Sequence, residues 1–165
     1  MFDTVFRPRR WFGLVVLVVA ALLGYAYYVQ YQLFLEPCPL CILQRVAFLA
    51  MACFALPAVI HNPGAKGQKV YGGLVIIAGL IGCLIAGRHL WLQSLPPDKV
   101  PDCGPGLGYM LETFPLSEVW QALLHGSGSC ATVDWQFIGL SMPAWTLICY
   151  IGLIVGTLIS VIRKG

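Results

Sequence analysis

The sequence predicts an all-α membrane protein: a four-transmembrane-helix bundle forming a single domain over residues 1–165, with a short surface amphipathic helix in its second outer loop. Three observations predict it. The chain is 59% hydrophobic and 10% charged, whereas soluble domains carry roughly 25% charged residues, so a water-soluble fold of this size could not hide the apolar surface. The charges leave four long gaps, residues 11–35, 46–65, 70–87 and 135–162, which are 25, 20, 18 and 28 positions long. A spanning helix needs about 20 apolar residues, within a range of roughly 17–25. Finally, the basic and acidic residues sort to opposite sides of these gaps.

The gaps place spanning helices at about 11–30, 41–60, 70–90 and 143–162, with outer loops at about 31–40 and 91–142. The first helix follows Arg7, Arg9 and Arg10, as a signal peptide would. Its apolar run is too long for one, however, and ends in Tyr25, Tyr27, Tyr28 and Gln30 instead of a small-residue cleavage site. Those tyrosines read as an interfacial belt on a retained helix. The second helix starts at Pro39, a residue suited to the first turn because its missing N–H would be unpaired there anyway, with Cys38 in the cap position. Pro57 kinks its far end, which membrane helices tolerate. The third is rich in glycine (Gly72, Gly73, Gly79, Gly82, Gly87) and is therefore expected to pack closely. The fourth is preceded by Trp135, Phe137 and Trp145 as belt residues.

Seven of the ten lysines and arginines fall in the N-terminal arm, the 61–69 loop and the C-terminus, and six of the seven acids fall on the other side. The positive-inside rule puts both termini in the cytoplasm and the 31–40 and 91–142 loops in a periplasm-like space. The long outer loop opens with Pro96, Pro97, Pro101 and Pro105, which discourage helix. Leu116 to Leu124 then carries apolar residues at 116, 119, 120, 123 and 124. That is helical spacing in a segment too short to span, hence a helix on the membrane surface. No basic run suggests nucleic acid.

This topology sorts the seven cysteines. Cys38 and Cys41 lie at the outer mouth of the second helix, and Cys103 and Cys130 in the long outer loop, an oxidising compartment. Cys53, Cys83 and Cys149 fall inside helices and read as small apolar packing residues. At about 100° per residue, Cys38, Cys41 and Arg45 share one stripe of the second helix. A dithiol at a helix N-terminus with a fixed cation one turn below is a place where a thiolate is stabilised. Thiol–disulfide exchange needs such a thiolate, an accessible disulfide and a destination for two electrons. A pair tethered on a proline- and glycine-rich loop can visit a soluble partner, and a pair fixed at the membrane surface can meet a lipid-soluble acceptor. Two electrons and a lipid-soluble carrier suggest a quinone. An arginine within the membrane is costly to keep and is a functional candidate for that reason. Arg45 is placed to donate hydrogen bonds to a quinone carbonyl. His89, near the outer end of the third helix, is a candidate to face the same pocket from a neighbouring helix, or else an interfacial anchor like Arg88.

The residues Pro37-Cys38-Pro39-Leu40-Cys41 with Arg45, the Cys103 and Cys130 loop pair, and Phe137-Ile138-Gly139-Leu140-Ser141-Met142-Pro143-Ala144-Trp145 resemble the DsbB family of membrane thiol–quinone oxidoreductases, over nearly the whole chain. The resemblance implies a bacterial inner-membrane enzyme that re-oxidises a periplasmic DsbA-like thiol oxidase and passes electrons to ubiquinone, or to menaquinone without oxygen. It also implies that Cys103 is the cysteine attacked by the partner, that Cys130 pairs with Cys38, and that Cys41 interacts with the quinone. Some members carry an acidic residue just before the arginine; here it is Gln44.

Two other readings stand beside this one. The four outer thiols could form a soft-metal site, against which the remaining cysteines offer no path through the bilayer, being scattered over three helices. A purely structural bundle would leave the dithiol and Arg45 without a purpose. The redox reading expects no resident metal.

Overall fold

The computed structural model describes residues 7–34, 37–96, 112–115, 117, 118, 121, 130, 131, 133 and 135–163. Four long helices dominate: α1 Pro8–Gln32, α2 Pro39–His61, α3 Ala65–Gln93 and α4 Met142–Ile162. All four are long and apolar enough to cross a membrane. The helices run past the charge-free windows at several ends. Arg9 and Arg10 lie inside α1, whose Pro8 occupies the first turn, and Lys66 and Lys69 lie inside α3. A flanking charge can extend its long side chain to the interface without ending the helix.

Three turns of sequence chemistry fix the helix starts. α1, α2 and α4 each carry proline at the start of the first turn (Pro8, Pro39, Pro143), behind Arg7, Cys38 and Ser141 in extended backbone. α2 runs unbroken past Pro57 to His61 and ends on Asn62 in the left-handed region (φ 42°). Asparagine tolerates that conformation better than most residues.

The helices pack α1 against α2, α2 against α3, and α3 against α4, with α1 closing on α4. Outward positions stay apolar: Leu84 is 75% exposed, Leu17 69% and Ile162 67%, which suits lipid and not water. Inward positions are packed by a cluster that includes Phe12, Val15, Met51, Val75 and Tyr150. Close approach is achieved with glycine. A Cβ on Gly82 of α3 would overlap the ring of Tyr150 on α4, and one on Gly156 of α4 would overlap the indole of Trp11 on α1. The Tyr150 ring in turn stacks on Phe48 of α2, centroids 4.0 Å apart and planes 9° apart. The Trp11 indole N–H donates to Thr157 Oγ1 at 3.0 Å, and Thr157 donates to the Leu153 carbonyl. Each buried polar atom in these contacts is thereby paired, as an apolar surrounding demands.

One element went unanticipated. β1 Gln136–Phe137 and β2 Leu140–Ser141 pair antiparallel as a hairpin directly ahead of α4. Its two turn residues, Ile138 (φ 54°) and Gly139 (φ 75°), are both left-handed, the geometry that tight two-residue hairpin turns require. The hairpin is tied down at both ends. The Trp145 indole N–H donates to the Phe137 carbonyl at 3.1 Å, and Ser141 Oγ donates to Gln93 Oε1 at 2.8 Å. The expected surface helix at 116–124 falls largely outside the described residues, of which Ser117, Glu118 and Gln121 are helical.

Candidate thiol redox site

The end of α1, the start of α2, the end of α3 and the start of α4 meet at one end of the bundle, and the candidate residues gather there. Cys38 caps α2: its backbone is extended and its carbonyl accepts from the Ile42 N–H at 3.2 Å. Cys41 lies one turn on, with its sulfur 3.2 Å from that of Cys38. Cys130 is fully buried and packs with Leu40 of α2 and Leu92 of α3, with Cys38 at the edge of the same cluster. The sulfurs of Cys38 and Cys130 and a ring nitrogen of His89 all lie within 4.8 Å of one another. The structure thus brings together Cys38, Cys41, Cys130 and His89; Cys103 lies outside the described residues.

His89 is 2% exposed. Its Nε2 is 3.7 Å from Cys38 Sγ, and its Nδ1 is 3.2 Å from the side-chain amide nitrogen of Gln44. Gln44 is itself buried and joins three helices. Thr146 Oγ1 of α4 donates to its side-chain oxygen at 2.7 Å, and the Tyr150 hydroxyl donates to its backbone carbonyl at 2.6 Å. This network was not anticipated. The signal for it was a polar residue inside an otherwise apolar span, the kind of position that membrane helices keep only for a reason.

Arg45 turns the other way, toward α1. Its guanidinium donates to Gln30 Oε1 and to the Ala26 carbonyl, and lies over the Tyr27 ring at 5.2 Å from the centroid. Cation–π contact and two hydrogen bonds hold the charge in a fixed place against α1. Between Arg45 and α4 opens a cavity of about 220 Å³. Its apolar wall includes Leu22, Ala26, Phe48 and Met142, and its polar groups include Arg45, Gln44 and Thr146. Cys41 lines it; Cys38 and His89 are not among its lining residues. Trp135, just ahead of the hairpin, lines this cavity; it meets Tyr25 of α1 edge to face at 6.1 Å and stacks on Phe137.

Cys83 and Cys149 are partly buried against the bundle core and Cys53 is exposed on its outside. Cys149 also contributes to the cavity wall.

A membrane-spanning helical bundle with a cysteine pair at one helix mouth, and a third cysteine held against it, defines an integral-membrane protein of thiol oxidoreductase type. The chain belongs to the DsbB family: the family model described as disulfide bond formation protein DsbB matches residues 8–160. It is 50% identical over 156 residues to disulfide bond formation protein B of Chromobacterium violaceum, covering 94% of each chain. It is 53% identical over 145 residues to the protein of that name from Methylococcus capsulatus, covering 88% of each. With that from Hahella chejuensis it shares 52% over 144 residues, 87% of each. Its role is in disulfide bond formation.

Proposed function

We propose that the chain is a thiol–quinone oxidoreductase of the bacterial inner membrane, with both termini cytoplasmic and the cysteine end of the bundle periplasmic. It re-oxidises a DsbA-like thiol oxidase and delivers the electrons to ubiquinone, or to menaquinone. The observation that carries this reading is the position of Cys38 and Cys41. Cys38 sulfur is 3.2 Å from that of Cys41 and within 4.8 Å of that of Cys130, while Cys41 lines an apolar cavity beside a fixed guanidinium.

The chemistry conserves electrons at each exchange. A thiolate of the reduced partner attacks Cys103 in a Cys103–Cys130 disulfide, and Cys130 leaves as a thiolate. The second partner thiolate displaces Cys103, which releases oxidised partner. Cys130 attacks Cys38 in a Cys38–Cys41 disulfide, and Cys41 leaves as a thiolate. Cys103 then displaces Cys38 from Cys130, restoring the loop disulfide and leaving Cys38 and Cys41 as the reduced pair.

The cavity fits a lipid-soluble ring: its wall is chiefly apolar, its polar groups are few, and it adjoins Cys41. A quinone bound there supplies the sink for two electrons and two protons. Arg45 stabilises negative charge on the Cys41 side of the cavity and orients a carbonyl by donating to it. Trp135 and Trp145 close part of the cavity wall beside the hairpin.

The test is anaerobic mixing of purified protein with reduced partner and ubiquinone, following the quinone absorbance. Cys41→Ser abolishes quinone reduction and leaves Cys103 able to trap the partner as a mixed disulfide. Quinone turnover that survives Cys41→Ser overturns the assignment.

A further inference from the structure

Cys38, Cys130 and His89 have a geometry that thiol exchange does not require. Exchange aligns an attacking, a central and a leaving sulfur and calls for no nitrogen. Here a histidine nitrogen completes a triangle with the sulfurs of Cys38 and Cys130, 3.7 Å from Cys38 Sγ, with all three atoms inside 4.8 Å. Zinc bonds of about 2.3 Å to sulfur and 2.0–2.1 Å to nitrogen give tetrahedral edges of roughly 3.8 Å between sulfurs and 3.6 Å between sulfur and nitrogen. The cysteine–histidine edge already has that length, and no edge of the triangle exceeds 4.8 Å.

Two further features match what a metal centre needs. The other ring nitrogen of His89 is engaged by the Gln44 side chain at 3.2 Å. An outer partner of this kind fixes the ring and selects which nitrogen ligates, and Thr146 holds that partner in place. Gln44 has both a carbonyl oxygen and an amide, so with the amide rotated it accepts from a His89 Nδ1–H and leaves Nε2 as the ligand, while its NH2 donates to Thr146 Oγ1, whose hydroxyl then donates to the Pro143 carbonyl alone. Cys130 and His89 are buried, Cys38 is partly so, and Leu40, Leu92, Leu43, Ile85 and Leu95 pack around the cysteines, which limits competition from water.

We propose that Cys38, Cys130 and His89 form an inhibitory site for a soft divalent cation such as Zn²⁺, present only while the two cysteines are reduced. Two thiols release two protons and the dithiolate neutralises the cation, so the occupied site carries no net charge from these groups. The bound metal withdraws the sulfurs of both cysteines from exchange. In a disulfide the same sulfurs are poor ligands, so oxidation empties the site. The inference rests on the proposed cycling of these cysteines between thiol and disulfide, but its test does not pass through quinone turnover.

The test is titration of the fully reduced protein in detergent, without oxygen or residual reductant, with Co²⁺ as a spectroscopic probe and then with Zn²⁺ in competition with a chromophoric chelator. The expected result is one equivalent bound, a thiolate-to-cobalt charge-transfer band, and no binding to the oxidised protein. His89→Ala and Cys130→Ser each lose the band, and Gln44→Leu weakens zinc binding about 10–100-fold. Replacement of Cys53, Cys83 and Cys149 by alanine together leaves binding unchanged. If His89→Ala fails to fold, Cys130→Ser alone decides, because its effect lies on one loop residue and not on a helix. Equal binding to the oxidised protein, binding that survives Cys130→Ser, or no band with the reduced protein overturns the proposal. Zinc binding with quinone turnover absent would leave the metal site standing and sink the quinone reading instead.

Discussion

Gln44 and His89 approach to 3.2 Å between the second and third helices, and Gln44 is the only glutamine buried at this end of the bundle among the described residues. One side chain thereby orients the imidazole that faces Cys38. It also connects the redox end of the bundle to Thr146 and Tyr150 of α4. Gln44→Leu removes the amide but keeps the volume, leaving His89 Nδ1 and Thr146 without this partner. The expected cost is about 1–3 kcal/mol, read as lower thermal stability in detergent and slower transfer between the cysteine pairs, with partner binding little changed. Gln44→Glu restores an acceptor for a His89 N–H and recovers most of the transfer rate. If leucine and glutamate behave alike, the hydrogen bond to His89 is without consequence.

Arg45→Lys tests the cavity. Lysine keeps the charge but loses the planar fork that reaches Gln30 and Ala26 together. Loss of one charge-assisted hydrogen bond of about 1.5–3 kcal/mol predicts a quinone KM raised by about tenfold or more, with the KM for reduced partner unchanged. Steady-state kinetics with each substrate varied in turn decide it; equal rises in both constants argue against contact between Arg45 and quinone.

Gly82→Ala tests the packing that carries Tyr150. The new methyl group overlaps the Tyr150 ring and displaces the hydroxyl that donates to the Gln44 carbonyl. Overpacking costs of about 1–3 kcal/mol are expected, as a lower unfolding temperature in detergent. Gly73→Ala, with open space around the position, is the matched control and leaves stability unchanged or slightly raised. A Gly82→Ala protein as stable as the control would show that α3 and α4 shift apart without penalty.

Cys53, Cys83 and Cys149 changed together to alanine retain most turnover. Cys53 lies on the outside of the bundle and the other two are partly buried against its core. The quinone assay with thiol quantification checks this. Loss of turnover in a protein that still unfolds cooperatively would assign one of them a redox part, with Cys149 the first suspect because it lines the cavity.

The spanning helices were legible because absence of charge is a one-dimensional signal: a gap of 18 or more positions needs no tertiary information. The cap was equally local, since Cys38 and Pro39 are adjacent and proline has few places to go at a helix start. The hairpin was not legible. Its strands are two residues each, and its turn places Ile138, a β-branched residue, where a propensity argument would not. The Gln44 network escaped for a different reason. It joins residues 44, 89, 146 and 150 from three helices, and helix rotation about its own axis is set by packing, as at Gly82, which no window of sequence displays. Arg45 is legible in the sequence as a cation set within a span and placed to meet a quinone carbonyl, but nothing local indicates that Gln30, Ala26 and Tyr27 hold it from α1.

Cys38 stands ahead of the hydrogen-bonded ladder of α2, in extended backbone with φ −64° and ψ 161°. A cysteine further along would have its χ1 limited by the preceding turn; this one has no preceding turn. Its sulfur can therefore swing from one neighbour to the other as a swivel at the lip of the helix, while every backbone bond beneath it stays made. In the proposed relay the hand-over between the two thiol partners then costs a single torsion, and the bundle sealed in lipid takes no part in the movement.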